Sequence, residues 1–131
     1  VMLWTEGFEF LGYRFRRDKL WPRDKSRKKL RDAIRKKTRR GDGRRLDVII
    51  IDVNRTLRGW FEYFKHSHKW TFPPIDSWVR MRLRSILRRR RKRKGRGRGA
   101  DHQRWPNAFF QAQGLFSLVM AKELNGQSSS R

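Results

Sequence analysis

The chain has 131 residues, of which 36 are Lys or Arg and only 12 are Asp or Glu, giving a net charge of +24 and a pI near 11.8. No apolar run exceeds four residues, so no segment reads as a bilayer span, and the N-terminal residues carry no signal-peptide pattern. The absence of cysteine excludes disulfides and thiolate-bound zinc. Self-repulsion on this scale opposes compaction, and a polyanion relieves it. Nucleic acid is the obvious polyanion, and Arg, which predominates over Lys, offers phosphate a planar fork of donors. The expectation is a cytoplasmic, nucleic-acid-associated protein with a thin core of aromatics, Leu, Ile and Val.

In chain order, Gly7 to Phe15 alternates aromatic and polar residues on either side of Leu11-Gly12, which predicts two short strands or a hairpin with a bend at the glycine. Pro22 and Asp24 mark a turn and a helix cap. From Ser26 to about Arg40, Leu30, Ala33 and Ile34 form one helical stripe among Lys and Arg, and Gly41-Asp42-Gly43 ends that helix.

The next stretch carries two conflicting signals. Val48-Ile49-Ile50-Ile51 is β-branched and reads locally as strand. Yet Leu46, Ile49, Ile50, Val53, Leu57, Trp60, Phe61 and Phe64 keep a helical period over several turns. The longer signal predicts helix. Pro73-Pro74 breaks the chain, and a third helix starts near Ile75-Asp76 with Trp78, Val79, Leu83, Ile86 and Leu87 on its apolar face. No acid lies between Asp76 and Asp101. The unbroken basic run Arg88–Lys94 and the Arg-Gly segment 95–99 read as a helix end fraying into a flexible linker. A short helix with Leu115, Leu118, Val119 and Lys122 on one face follows, and the Ser-rich tail from Gly126 is expected to lack order.

These pieces resemble a known family. Gly7-Phe8-Glu9-Phe10-Leu11-Gly12-Tyr13 resembles the last block of reverse-transcriptase palms, and Asn54-Arg55-Thr56-Leu57-Arg58-Gly59-Trp60-Phe61-Glu62-Tyr63-Phe64 resembles the signature of the group II intron maturase domain. Phe72, Ile75, Asp76, Trp78, Val79 and Arg82-Leu83-Arg84 follow at that family's spacing, and Trp105 to Leu118 is similar to its C-terminal DNA-binding region. The resemblance implies the end of a palm over 1–22, a thumb and maturase domain over 23–94, an Arg/Gly linker over 95–104 and a DNA-binding-like segment over 105–131. It implies group II intron RNA as partner, a DNA target as a second one, a bacterial cytoplasmic setting, no membrane and no cofactor. Nothing resembles the palm's catalytic Asp-Asp block, so the chain is not expected to polymerise DNA. A cut fragment, a degenerate remnant and a free-standing maturase module all fit that departure.

The fold class is therefore mainly α: an N-terminal β-hairpin, a three-helix thumb bundle and a small C-terminal helical segment. Candidate RNA-binding residues are Arg27, Lys28, Arg31, Arg35 and Lys36 on the first helix, Arg58 on the second, and Arg80, Arg82, Arg84, Arg88, Arg89, Arg90 and Arg91 on the third. These cations have almost no acids among them, whereas an ordinary solvated helix face mixes both signs. Phe10, Leu11, Gly12 and Tyr13 correspond to the family's primer-grip strands. Arg96, Arg98, Arg104 and Trp105 are DNA-binding candidates, and segment 95–99 either drapes along RNA or serves as a plain linker. Trp60, Phe61, Phe64 and Trp78 are read as core rather than as base-stacking platforms, with Tyr63 partly exposed. His66 and His68 lack a nearby third ligand and read as a loop, with no metal expected; no carboxylate pair reads as catalytic, because Asp47 and Asp52 do not share a helix face. Three functions stay open: a maturase, a polymerase thumb and a DNA-target binder. An inactive remnant binding nucleic acid through charge alone is the bland alternative.

Overall fold

Tyr13–Arg16 (β1) and Lys19–Pro22 (β2) pair antiparallel, with Arg14 opposite Trp21 and Arg16 opposite Lys19. In this computed structural model, residues 12–92 and 99–129 are described. The turn is Arg17-Asp18, both with positive φ (51° and 61°), the two-residue form whose twist suits a tight hairpin. The hairpin thus lies further along the chain than the alternation around Leu11-Gly12 predicts, and residues 7–11 lie outside the described residues. Gly12 stands just before β1 at φ +92°, and a Cβ there would lie 3.1 Å from Ser26 Oγ and 3.2 Å from Phe64 Cζ. Only glycine meets both conditions without strain.

Helix α1 (Asp24–Lys37) buries Leu30 and Ile34, and its last turn, Arg35-Lys36-Lys37, complements the negative end of the helix dipole. It stops short of Arg40 because the Thr38 hydroxyl donates to the Ile34 carbonyl at 2.7 Å, after which the backbone leaves helical geometry. Helix α2 (Leu46–Phe64) buries Ile49, Ile50, Val53, Asn54, Leu57, Phe61 and Phe64, while Val48 and Ile51 face outward. Periodicity prevailed over β-propensity because the helix buries a complete stripe, whereas a four-residue strand would have had no partner.

A 3-10 turn (Lys69–Thr71) leads directly into α3 (Phe72–Arg90), which starts earlier than predicted. Pro73 and Pro74 do not break this helix. They occupy its first turn, where an amide has no helical acceptor and the proline φ is already correct.

Three short helices follow: α4 (Ala100–Arg104), α5 (Asn107–Ala112) and α6 (Leu118–Ser129). Two expectations are corrected here. Part of the anticipated linker is helical, with Asp101 buried, and α6 continues past Gly126 to Ser129. The C-terminal helices also share the core of α1 to α3. Phe110 and Leu118 are fully buried in the same cluster as Ile34, Leu57, Phe72 and Leu83.

Candidate nucleic-acid interface

With Leu30 and Ile34 turned inward, α1 presents Lys28, Lys29, Arg35 and Lys36 to solvent, and Arg31 is half-buried. The one acid of this helix face, Asp32, lies 2.9 Å from both Lys28 Nζ and Arg35 Nη1. The Lys28 hydrogen bond, above all, holds the Asp32 carboxyl below the usual carboxylate range.

The C-terminal end of α1 gathers cations from three parts of the chain. Arg82 donates from Nε to Thr38 Oγ1 and from Nη2 to the Thr38 carbonyl, each at 3.0 Å. Arg35 and Arg82 lie over the Trp78 ring, 5.4 and 5.8 Å from its centroid, a cation–π arrangement. Burial lowers the Arg82 guanidinium pKa, and the nearby charges of Arg35 and Arg40 add to that. Arg90 reaches the neighbouring loop, donating from Nη2 to the carbonyls of Asp42, at 3.1 Å, and Arg44. Arg35, Arg40, Arg82 and Arg90 thus converge on the end of α1 and the loop after it. Arg89 and Arg91 are exposed at the end of α3.

Other candidates lie elsewhere. Arg58 is exposed, but its guanidinium sits 5.5 Å from the Phe116 ring, on the side of the C-terminal segment. Arg80 is half-buried and donates to Ser77 Oγ at 3.3 Å, and Arg27 is half-buried beside the hairpin. Arg88 pairs with the buried carboxylate of Asp101 at 2.9 Å.

Arg84 does not share the basic outer face that the sequence predicts for it. It is only 2% exposed. Its Nε donates to the Trp105 carbonyl at 2.8 Å, its Nη2 to Asn107 Oδ1 at 2.9 Å, and its guanidinium lies 5.2 Å from the Phe110 centroid. Helices α4 and α5 cover this side of α3, so the side chain serves as an internal strut. Burial, then the charge of Arg80, lowers its pKa, while Asp101 opposes them.

Among the DNA-binding candidates, Arg104 is exposed over the Trp105 ring, and Trp105 is half-buried against the core. Arg96 and Arg98 lie outside the described residues, as do Phe10 and Leu11 of the primer-grip-like set. Gly12 and Tyr13 are described. The Gly12 carbonyl accepts from the Arg23 amide at 2.8 Å. Tyr13 is buried, donates its hydroxyl to the Tyr63 carbonyl at 2.9 Å and accepts from the His66 amide at 3.3 Å. Burial pushes its phenol pKa up. Phe61 and Phe64 are buried, Trp60 and Trp78 are half-buried against the core, and Tyr63 is half exposed. His68 is a loop residue whose Nδ1 accepts from the Trp70 amide at 3.2 Å.

Two buried polar residues, one on α2 and one on α3, have roles that the sequence does not reveal. Asn54 donates from Nδ2 to the Gly114 carbonyl and accepts the Phe116 amide at Oδ1, each at 2.8 Å. Asp76 accepts the Ser117 hydroxyl at 2.9 Å and the amides of Leu118 and Val119 at 3.0 Å. Together they dock the C-terminal segment onto α2 and α3. A buried polar residue on an otherwise apolar stripe was the available signal, but its partners lie far along the chain.

A feature common to residues 27–105 emerges from this geometry: every carboxylate there has an internal partner. Asp32, Asp42, Asp47, Asp52, Glu62 and Asp101 pair with Lys or Arg, and Asp76 caps α6. The cations far outnumber these acids, so most of the positive charge is uncompensated. Among the described residues, no helix is long and apolar enough to cross a membrane.

No curated protein matches the chain. A family model described as "Group II intron, maturase-specific domain" matches residues 27–105, more than half of the sequence and nearly all of α1 to α4. The chain belongs to the group II intron maturase-specific domain family.

Proposed function

We propose that this protein binds folded group II intron RNA and stabilises its active form, so promoting splicing without a catalytic centre of its own. The family is that of the maturase domain rather than of a polymerase's catalytic block, which supports this reading. The observation that carries it is the one-sided charge: all carboxylates in the matched span are internally engaged, while Lys28, Lys36, Arg89 and Arg91 remain exposed. Phosphates arrayed on a folded RNA would occupy such a surface, and the release of their counterions would drive binding.

In this reading the primary contacts are the α1 face, the cations converging on its C-terminal end and the exposed end of α3. Arg84 is a scaffold residue. Residues 23–94 act as the thumb, and the chemistry of splicing belongs to the RNA.

The test compares affinity for a structured group II intron RNA with affinity for an unrelated duplex of equal length across a salt series. The expected result is an intron advantage of about tenfold, or ~1.4 kcal/mol, at physiological salt. Coincident curves with the same steep salt slope would make the protein a charge-driven binder and overturn the proposal.

A further inference from the structure

The hairpin leaves a second feature unexplained. Alternation along β1 and β2 turns Tyr13 and Pro22 toward the core and puts Arg14, Arg16, Lys19 and Trp21 along the cleft beside it. These residues form one wall of a cleft of about 640 Å³, within the ~300–1,000 Å³ range of small-ligand sites. Arg27 of α1, Trp70 of the 3-10 turn and His68, which precedes that turn, also line the cleft. His68 is tied to the hairpin, because its amide donates to the Leu20 carbonyl at 2.8 Å.

The aromatic groups form a contiguous cluster. His68 lies between Trp21, at 4.9 Å between centroids, and Trp70, at 5.0 Å and nearly perpendicular. Trp70 is 70% exposed, the most exposed of the large hydrophobic side chains among the described residues. Trp21 is fixed by donating its indole N–H to the Arg16 carbonyl at 3.4 Å. Burial, then the charges of Lys19, Lys69 and Lys122, holds the His68 pKa below its ordinary value.

The cations face the same space. Arg14, Arg16 and Arg27 line it with Arg17 and Lys19, against a single acid, Asp24. Arg27 Nε is buried yet has no hydrogen-bond partner among the described residues. An unmet buried donor beside an exposed indole fits a ligand that brings both an anion and an aromatic plane. Duplex RNA offers phosphates but keeps its bases stacked; an unpaired nucleotide offers both.

We propose that this cleft holds an unpaired nucleotide, its base stacked on Trp70 and its phosphate on Arg14, Arg16 and Arg27. The site deepens the RNA-binding reading, since it would let the protein engage a loop or strand end of the RNA that its helices grip by charge. Trp21 and His68 act as positioning residues behind Trp70.

The experiment uses the full chain and labelled single strands roughly eight nucleotides long, as RNA and as DNA, with a blunt RNA duplex as control. Binding is followed by fluorescence anisotropy at physiological salt for the wild type, Trp70→Ala and Trp70→Phe. Trp70→Ala is expected to weaken single-strand binding about tenfold while duplex binding changes less than about twofold; Trp70→Phe keeps most of the affinity. A loss confined to RNA would mean that the ribose is read, and an equal loss on DNA that base and phosphate suffice; both support the site. Unchanged single-strand affinity, or equal loss on duplex, overturns it. The two proposals fail separately. An intron preference with Trp70→Ala silent removes only this cleft, whereas a selective Trp70→Ala defect without intron preference removes only the maturase reading.

Discussion

Asp76, one turn into α3, caps a helix that begins 42 residues later: its Oδ1 accepts the Leu118 amide at 3.0 Å. The same carboxylate also holds Ser117 and Val119, so one buried side chain satisfies donors that α6 cannot satisfy within itself. A negative charge at that end is further favoured by the helix dipole.

Asp76→Ala should therefore destabilise the protein by about 2 kcal/mol, the upper range for a lost N-cap. Urea unfolding gives the magnitude, and hydrogen exchange over residues 114–129 gives the location. Asp76→Asn should recover part of the loss, since one amide oxygen still accepts. Unaltered exchange in that segment would mean that the cap does not hold α6.

Arg84→Met should separate structure from charge. Losing the hydrogen bond to the half-buried Trp105 carbonyl, and the one to the exposed Asn107, should cost about 1–3 kcal/mol. The slope of log affinity for RNA against log salt should stay as in the wild type. A shallower slope would return Arg84 to the phosphate-binding set.

Lys36→Ala and Arg89→Ala should behave in the opposite way. Both side chains are exposed, so stability should move by less than about 0.5 kcal/mol. Each phosphate that a variant no longer neutralises should make the salt slope shallower by about 0.9 on a duplex. Wild-type slopes for both variants would place the RNA elsewhere on the surface.

Trp60 packs at 4.7 Å from Phe64 and 6.5 Å from Phe72, half-buried against the core. Trp60→Ala should cost about 2–3 kcal/mol, below the ~3–5 of a fully buried aromatic. Thermal unfolding by circular dichroism measures it. A stable variant with weakened RNA binding would make Trp60 a contact residue.

Acid should loosen the loop between α1 and α2. Hydrogen bonds from Arg44 to both Asp42 and Asp52, joined by Lys37 on Asp52, hold these carboxyl groups below their ordinary value of 3.8. A depressed carboxylate contributes stability above its unfolded value and loses it as pH falls through the folded one. Urea midpoints should be level above about pH 5 and decline below it, and Arg44→Ala should flatten that decline. An unchanged pH profile in the variant would remove Arg44 as its cause.

Helices were legible wherever one stripe of the sequence met one core. The run Leu46 to Phe64 was readable as a helix despite its β-branched start, because the period persisted for the whole element. Boundaries were less readable: Pro73-Pro74 looks like a break in isolation and is a start only because Phe72 is already buried ahead of it. The site was half visible. Charge marked Lys28, Lys36 and Arg89, but Arg84 is indistinguishable from them by spacing, since what separates it is the chain that folds over α3. Trp21 and Trp70 gave no periodic signal, because their partnership depends on a hairpin meeting a 3-10 turn.

The docking of Gly114 to Val119 by Asn54 and Asp76 has a temporal side. A protein is made from its N-terminus, and domains generally fold as units as they emerge. Here the two clamps are synthesised well before the segment that completes them. Until Phe110 and Leu118 appear, the core around Val79 and Leu83 lacks its last two fully buried side chains. The nascent helical bundle is therefore a highly cationic, incomplete core, at the moment when the RNA it was translated from is the nearest polyanion.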